Sequence, residues 1–312
     1  MKAPQQLGPR HWCDLGAPAK VNTFLHVVGR RADGMHLLQS VFMLLDWGDY
    51  LDIEVTPNDA RITRIDRANA ATEDAEALPA NDLCVQAATL LQRSCGLQLG
   101  ARIGLQKHLP TQAGLGGGSS DAATCLIVLN KLWGTDLSTS QLCALAVQLG
   151  ADVPFFVQGH NAFVQGIGEH ISPMTLPATH LWLVKPKAGA STPAIFQSTQ
   201  LSRNTAPVDL QALTRLGAAN LWAFGHNDLQ AVAEQLCPDI KGACNWLSAK
   251  GLTPRMTGSG STVFAHFSPN DPQSQASQAA PADDLPARWL SHKCKNLEKH
   301  PLHDWIYPKN VG

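Results

Sequence analysis

The chain has 312 residues, 44% of them hydrophobic, which is enough to bury a full core and is a length that suits two domains. Its formal net charge of -1 and pI near 6.8 supply no field for nucleic acid or an anionic membrane, which leaves a small molecule as the expected partner. No apolar run approaches the ~18 residues of a membrane span and the start carries no signal-like stretch, so the expected location is the cytoplasm.

From Trp12 to Val55 the sequence is strand-like: Val21, Thr23, Leu25 and Val27 alternate with Asn22, Phe24 and His26 before RRADGMH makes a turn. Lys20 opens this run, and Asn22, two residues on, falls on the same strand face. Residues 57–79 are polar and alanine-rich and read as a surface connection before a helical segment over 83–94. ARIGLQKHLP returns to strand character, with Ala101, Ile103 and Leu105 on one face. After a glycine-rich stretch, Ala122, Ala123, Leu126, Ile127, Leu129, Leu132 and Trp133 recur at helical spacing until Gly134.

A further helix starts at STSQ, where Ser138 and Gln141 have capping-box spacing, and ends at Gly150. Residues 151–169 read as a loop and hairpin turning near Gly159. HLWLVKP is another strand, 219–237 and 239–250 suit two helices, and PRMTGSGSTVFAHF reads as strand, glycine turn and strand. Residues 268–286, rich in Pro, Gln, Ser and Ala without periodicity, read as a mobile insertion. Strands and helices mix without a regular βα repeat, so the expected class is α+β. The eight cysteines have no C-x-x-C pair and read as reduced structural thiols, and the twelve histidines form no familiar metal-ligand spacing.

The stretch LPTQAGLGGGSSDAA, with Gly114, Gly116, Gly117 and Gly118 ahead of a helix, is the main chemical signal. Bare glycines let several backbone N–H groups converge on one anion, and the helix start adds unpaired N–H groups and its positive dipole end. A P-loop is excluded because Ser119 and Ser120 follow the last glycine where Lys and Ser or Thr are needed. The dinucleotide pattern fails because Ser119 takes its third glycine position. A flexible Gly/Ser linker is the alternative, disfavoured by Pro110 before the cluster and the well-patterned helix after it.

This stretch resembles the ATP-phosphate loop of the GHMP kinases. PAKVNTFLHVVGRRADGMHLLQSVF and LGADVPFFVQGHNAFVQGIGE are similar to the members that phosphorylate a cytidine diphosphate polyol in non-mevalonate isoprenoid biosynthesis, and MTGSGSTVFA is similar to the family's third glycine motif. The resemblance runs from about residue 17 to 267 and is weak across 58–80. It implies a two-lobed fold: an N-terminal lobe over 1–172, ribosomal-protein-S5-domain-2-like, and a ferredoxin-like C-terminal lobe over 173–312. It also implies ATP and Mg²⁺, a small-molecule substrate, no nucleic acid or membrane partner, and a monomer or weak homodimer.

Residue by residue, the resemblance assigns ATP binding to Pro110, Thr111, Gln112, Ala113, Gly114, Leu115, Gly116, Gly117, Gly118, Ser119 and Ser120. It assigns the catalytic base to Asp152 and its electrostatic partner to Lys20. On residues alone, Asp152 reads as a turn or cap residue and Lys20 as an exposed lysine. The acceptor residues implied are Asn22, Met35, His36, Phe42, Thr192, Phe196, Gly258 and Ser259, with His36 on the cytosine edge and Phe196 against its ring. Met35 stands where the resemblance expects a second aromatic ring. Asp121 and Glu169 are candidate acids near a metal, whose ligands stay unassigned. Another GHMP kinase, of homoserine or mevalonate kinase type, and a non-catalytic nucleotide-binding regulator of the same fold remain as alternatives.

Overall fold

A computed structural model describes residues 1–67, 78–216, 220–267 and 284–307. Its framework is a pair of long antiparallel strands, β2 (His11–Arg30) and β3 (His36–Thr56). On one side β1 (Gln5–Gly8) pairs with β2; on the other, β5 (Gly100–Gln106) takes the last third of β3 and is followed by β4 (Ile62–Asp66), parallel to it. The first third of β3 instead pairs with β6 (Ala162–Gly166), which forms a hairpin with β7 (His170–Pro173). These make one seven-stranded sheet.

Both faces of that sheet are buried, which is why simple alternation misreads it. Leu15, Ala17, Leu44, Leu51 and Ile53 pack beneath four helices: α1 (Leu83–Ser94), α2 (Gly117–Leu132), α3 (Thr139–Ala146) and α4 (Val153–Gln158). Ala19, Val21, Phe24, Val41 and Met43 pack on the opposite face. The β2–β3 register shifts between Pro18 and Lys20, and again between Asn22 and Leu25. The first irregularity turns Lys20 and Asn22 onto the helix-bearing side, as a bulge re-aims side chains. Gly48 opposite Pro18 permits it, since a Cβ there would collide with the Ala17 carbonyl. The second irregularity puts Phe24 on the same side as Val21, correcting the expected alternation.

The second sheet comprises β8 (His180–Lys185), β9 (Arg255–Met256), β10 (Val263–Phe267) and β11 (Leu290–Lys295), antiparallel in the order β11-β8-β10-β9. Numbered within this lobe, that order is 4-1-3-2, the arrangement the ferredoxin-like expectation requires. Between β8 and β9 run α5 (Thr192–Gln197), α6 (Leu210–Arg215), α7 (Gln230–Leu236) and α8 (Pro238–Ala249). One face of the sheet buries Trp182 and Val184 against α7 and α8; the other packs Leu181, Leu183 and Phe264 against the first sheet. A last turn, α9 (His303–Ile306), returns to the first lobe, where Leu302 and Ile306 join the core under the helices. The fold is α+β, as expected.

Two helical expectations need correction. Residues 153–158 are helix rather than loop: Pro154 sits in the first turn, where its missing N–H costs nothing, and Gly159 closes the segment at φ +69°. Residues 219–237 are not one helix, because Gly225 has a left-handed φ of +65° and Asn227 bridges to Leu25, so that the helix begins only at Gln230. Ala219 and residues 268–283 of the expected insertion lie outside the described residues. The Ser138–Gln141 capping box is present, and all eight cysteines are free.

Candidate active site

The glycine stretch forms the wall between two cavities. One, of about 450 Å³, is lined by residues 110–119 together with Asn81, Gln86, Lys107 and Asp121. The other, of about 400 Å³, shares Gly114, Gly116 and Ser119 and adds Lys20, Asn22, Phe42, Asp152, Thr192, Phe196, Gly258 and Ser259. The loop must be glycine at two points for reasons internal to the fold. Gly114 (φ +75°) presses on the Thr257 carbonyl, and a Cβ on Gly116 (φ +71°) would stand 2.9 Å from Phe156 and 3.1 Å from Lys20. Gly116 is also the N-cap of α2 and offers no side-chain oxygen to the helix start. The first N–H groups of a 16-residue helix therefore face the loop without a side-chain cap, an anion-binding arrangement.

Lys20 and Asp152 are 132 positions apart in the sequence, and the fold brings Lys20 Nζ to 3.4 Å from Asp152 Oδ2. The Lys20 side chain is 4% exposed and that of Asp152 31%, so the carboxylate faces the cavity while the ammonium lies behind it. Asp152 is the N-cap residue of α4, yet its side chain makes no capping bond, so the carboxylate is not committed to the helix. Lys20 also donates to Asn22 Oδ1 at 2.8 Å and sits 4.5 Å from the centre of the Phe42 ring, a cation–π contact. Asn22 Nδ2 donates to Ser40 Oγ at 2.8 Å, and the Ser40 hydroxyl donates in turn to the Phe24 carbonyl. A continuous buried chain of donors thus fixes both amide and ammonium.

Beneath the loop, Lys107 Nζ bridges Asp49 and Asp121, at 2.8 Å from the latter, while Asp49 accepts the backbone N–H groups of His108 and Leu109. Burial opposes the Lys107 charge, but the two carboxylates outweigh it and its pKa is raised. Burial, and then the neighbouring Asp49 charge, push the Asp121 carboxyl well above the usual range. Asp121 therefore belongs to a buried ion cluster. Glu169 does not line either cavity; it accepts the Ile167 N–H at 2.5 Å and closes the β6–β7 turn. Ser120 is fully buried in the first turn of α2, away from both cavities, unlike Ser119.

A third groove, of about 550 Å³, adjoins the second through Leu38, Ile167 and Phe196 and is lined by Arg30, Met35, His36 and Arg203. The His36 and Phe196 rings lie 4.9 Å apart at 36°. Met35 is half exposed and lines this groove alone, so it is separated from the Lys20–Asp152 cavity. Thr192 and Ser259 hydroxyls meet at 2.6 Å across the cavity mouth, joining α5 to the third glycine turn. Lys107, Asp49, Ser40, Thr257 and Arg203 were not singled out by sequence. Only Lys107 carried a signal, as the basic residue leading into the glycine stretch.

Comparison with known proteins identifies the family. The pattern described as GHMP kinases N terminal domain matches residues 82–160, and GHMP kinases C terminal matches 208–283. The chain is 51% identical over 295 residues to a 4-diphosphocytidyl-2-C-methyl-D-erythritol kinase of Polaromonas sp. strain JS666, covering 94% of this chain and 93% of that one. Its structure is similar to a crystal structure of 4-(cytidine 5'-diphospho)-2C-methyl-D-erythritol kinase, with a TM-score of 0.70 and 30% identity over 90% of this chain and 98% of the other. A homoserine kinase from Cytophaga hutchinsonii shares the fold at a TM-score of 0.67 and 17% identity, covering 95% and 97% of the two chains.

Proposed function

The chain belongs to the GHMP kinases and, within them, to the 4-diphosphocytidyl-2-C-methyl-D-erythritol kinases, and from that membership we propose how its own residues carry the reaction. The reaction transfers the γ-phosphoryl group of ATP to the C2 hydroxyl of 4-diphosphocytidyl-2-C-methyl-D-erythritol, giving the 2-phosphate and ADP. The cavity over residues 110–119 takes the nucleotide, with its phosphates against the start of α2. The cavity containing Lys20, Asn22 and Asp152 takes the polyol, and the groove beyond it takes the cytosine, with His36 at the base edge and Phe196 against its ring.

The acceptor is a tertiary alcohol, hindered and weakly nucleophilic, so position and proton removal both matter. Asp152 accepts the hydroxyl proton as the oxygen bonds to the γ-phosphorus and the bond to the β–γ bridging oxygen breaks. Lys20, held by Asn22 and Phe42, orients the Asp152 carboxylate and offsets charge at the reacting oxygen. Among the described residues no group of three His, Cys, Asp or Glu side chains is able to hold a metal by itself. Mg²⁺ would enter with the triphosphate, and Ser119, whose hydroxyl lies on the wall shared by the two cavities, would be the side chain to hold it. Bound there, the ion would offset charge on the phosphates.

A division into lobes at 172/173 belongs to the same reading, supported by the first sheet ending at Pro173 and the second starting at His180, although Leu302 and Ile306 pack in the first core. A cytoplasmic location and a monomeric or weakly dimeric state belong to the same proposal; among the described residues no helix is long and apolar enough to cross a membrane.

The observation that carries the mechanism is the uncommitted Asp152 carboxylate 3.4 Å from a buried ammonium, in the cavity that the glycine loop also lines. Asp152→Asn keeps the size and polarity of the side chain and removes its basicity. Its kcat should fall by about 10² or more with the KM for ATP little changed, in steady-state ADP-release kinetics. Near-normal turnover would remove Asp152 from the proton transfer.

A further inference from the structure

Arg203 connects the two rings that line the third groove. Its Nε–H donates to His36 Nε2 at 3.0 Å, while Nη1 donates to the Leu201 carbonyl at 3.1 Å. Nη2 donates to the carbonyls of Phe196 and Ser198 at 3.0 and 2.8 Å. A guanidinium is always charged and has donors only. His36 Nε2 must therefore present its lone pair, and the neutral ring carries its proton on Nδ1. Burial, followed by the charges of Arg203 and Arg30, lowers the His36 pKa, which favours that neutral ring. Phe196 belongs to the last turn of α5 and Ser198 follows it, so the same guanidinium ties down the end of the helix that carries the second ring.

We propose that Arg203 is a positioning residue for base recognition: it holds His36 as the Nδ1–H tautomer, so that the ring presents a donor to the base edge, and it anchors Phe196 beside it. Among the described residues His36 Nδ1 has no hydrogen-bond partner, which leaves its proton for a ligand. A fixed donor suits N3 of cytosine, which is an acceptor, and opposes N3 of uracil, which carries a hydrogen. Setting donor against donor leaves two polar groups unpaired, and an unmade bond of this kind is what gives polar sites their discrimination. The inference rests on placing the base in this groove.

The test uses the full chain with the cytidine acceptor and its uridine analogue, alongside two-bond ¹H–¹⁵N spectra that report which His36 nitrogen is protonated. Arg203→Met should move His36 toward the Nε2–H form and lower the cytidine-over-uridine ratio of kcat/KM by about tenfold, with the KM for ATP unchanged. Arg203→Lys retains one donor for Nε2 without the fork that reaches the carbonyls. It should keep the Nδ1–H form and the selectivity while raising the KM for both acceptors. If His36 remains Nδ1–H in Arg203→Met, the role given to Arg203 is overturned. If the tautomer changes and selectivity does not, the placement of the base in this groove is overturned instead, together with the recognition role that depends on it.

Discussion

At the scale of single residues, Thr257 illustrates how much of the site is held by groups with no chemistry of their own. Its hydroxyl is buried, accepts the Asn22 N–H at 2.9 Å, and lies 3.2 Å from Asn22 Oδ1 and 3.3 Å from the Gly114 carbonyl. One side chain thus joins the strand carrying Lys20, the phosphate loop and the third glycine turn. In the sequence it is an ordinary β-branched residue beside a glycine, and its partner in β2 is 235 positions away. Thr257→Val preserves shape and leaves the Asn22 N–H without its acceptor, at a cost of about 1 to 3 kcal/mol. Urea denaturation should register that loss, and kinetics should show kcat falling more than the KM for ATP changes. Thr257→Ser should recover both. A valine variant with unaltered kcat would mean that the three segments hold their places without the hydroxyl.

At the scale of elements, legibility followed length and local signals. α2 and α3 were readable because apolar spacing and a capping box are properties of a few neighbouring residues. α4 was not, because a helix of six residues is too short to display a period and its Pro-Phe-Phe run reads equally well as loop. The face-switching of β2 was hidden because a bulge depends on the partner strand, here on Gly48 opposite Pro18. The glycine loop was legible as a whole but not glycine by glycine. Gly116→Ala places a Cβ against Phe156 and Lys20 at a left-handed φ, and should reduce both stability and kcat. A Cβ on Gly118 meets only Leu83, at 3.4 Å, so the fold itself has room for it. Gly118→Ala should melt near the parent temperature and yet show a raised KM for ATP if, as proposed, the bare backbone there serves the phosphate. Equal ATP affinity in a well-folded Gly118→Ala protein would displace the phosphates from this part of the loop.

At the scale of the whole molecule, the two sheets pack face to face through Val21, Val41 and Met43 on one side and Leu181, Leu183 and Phe264 on the other. That contact sets the third glycine turn over the phosphate loop and brings Phe196 and Arg203 to His36, on the first lobe. The pairing of lobes was legible only through resemblance; no spacing in the chain announces that residues 167 positions apart share a hydrogen bond. The fold alone does not choose the alcohol, since a homoserine kinase shares it at 17% identity. In the proposed reading the choice lies in the groove of His36, Phe196 and Arg203, which adjoins the acceptor cavity. The direct measurement is ADP release by the purified protein with ATP and each of three acceptors: 4-diphosphocytidyl-2-C-methyl-D-erythritol, mevalonate and homoserine. Turnover with the cytidine diphosphate polyol and none above background with the other two is the predicted result; turnover with mevalonate or homoserine and none with the polyol would contradict the account.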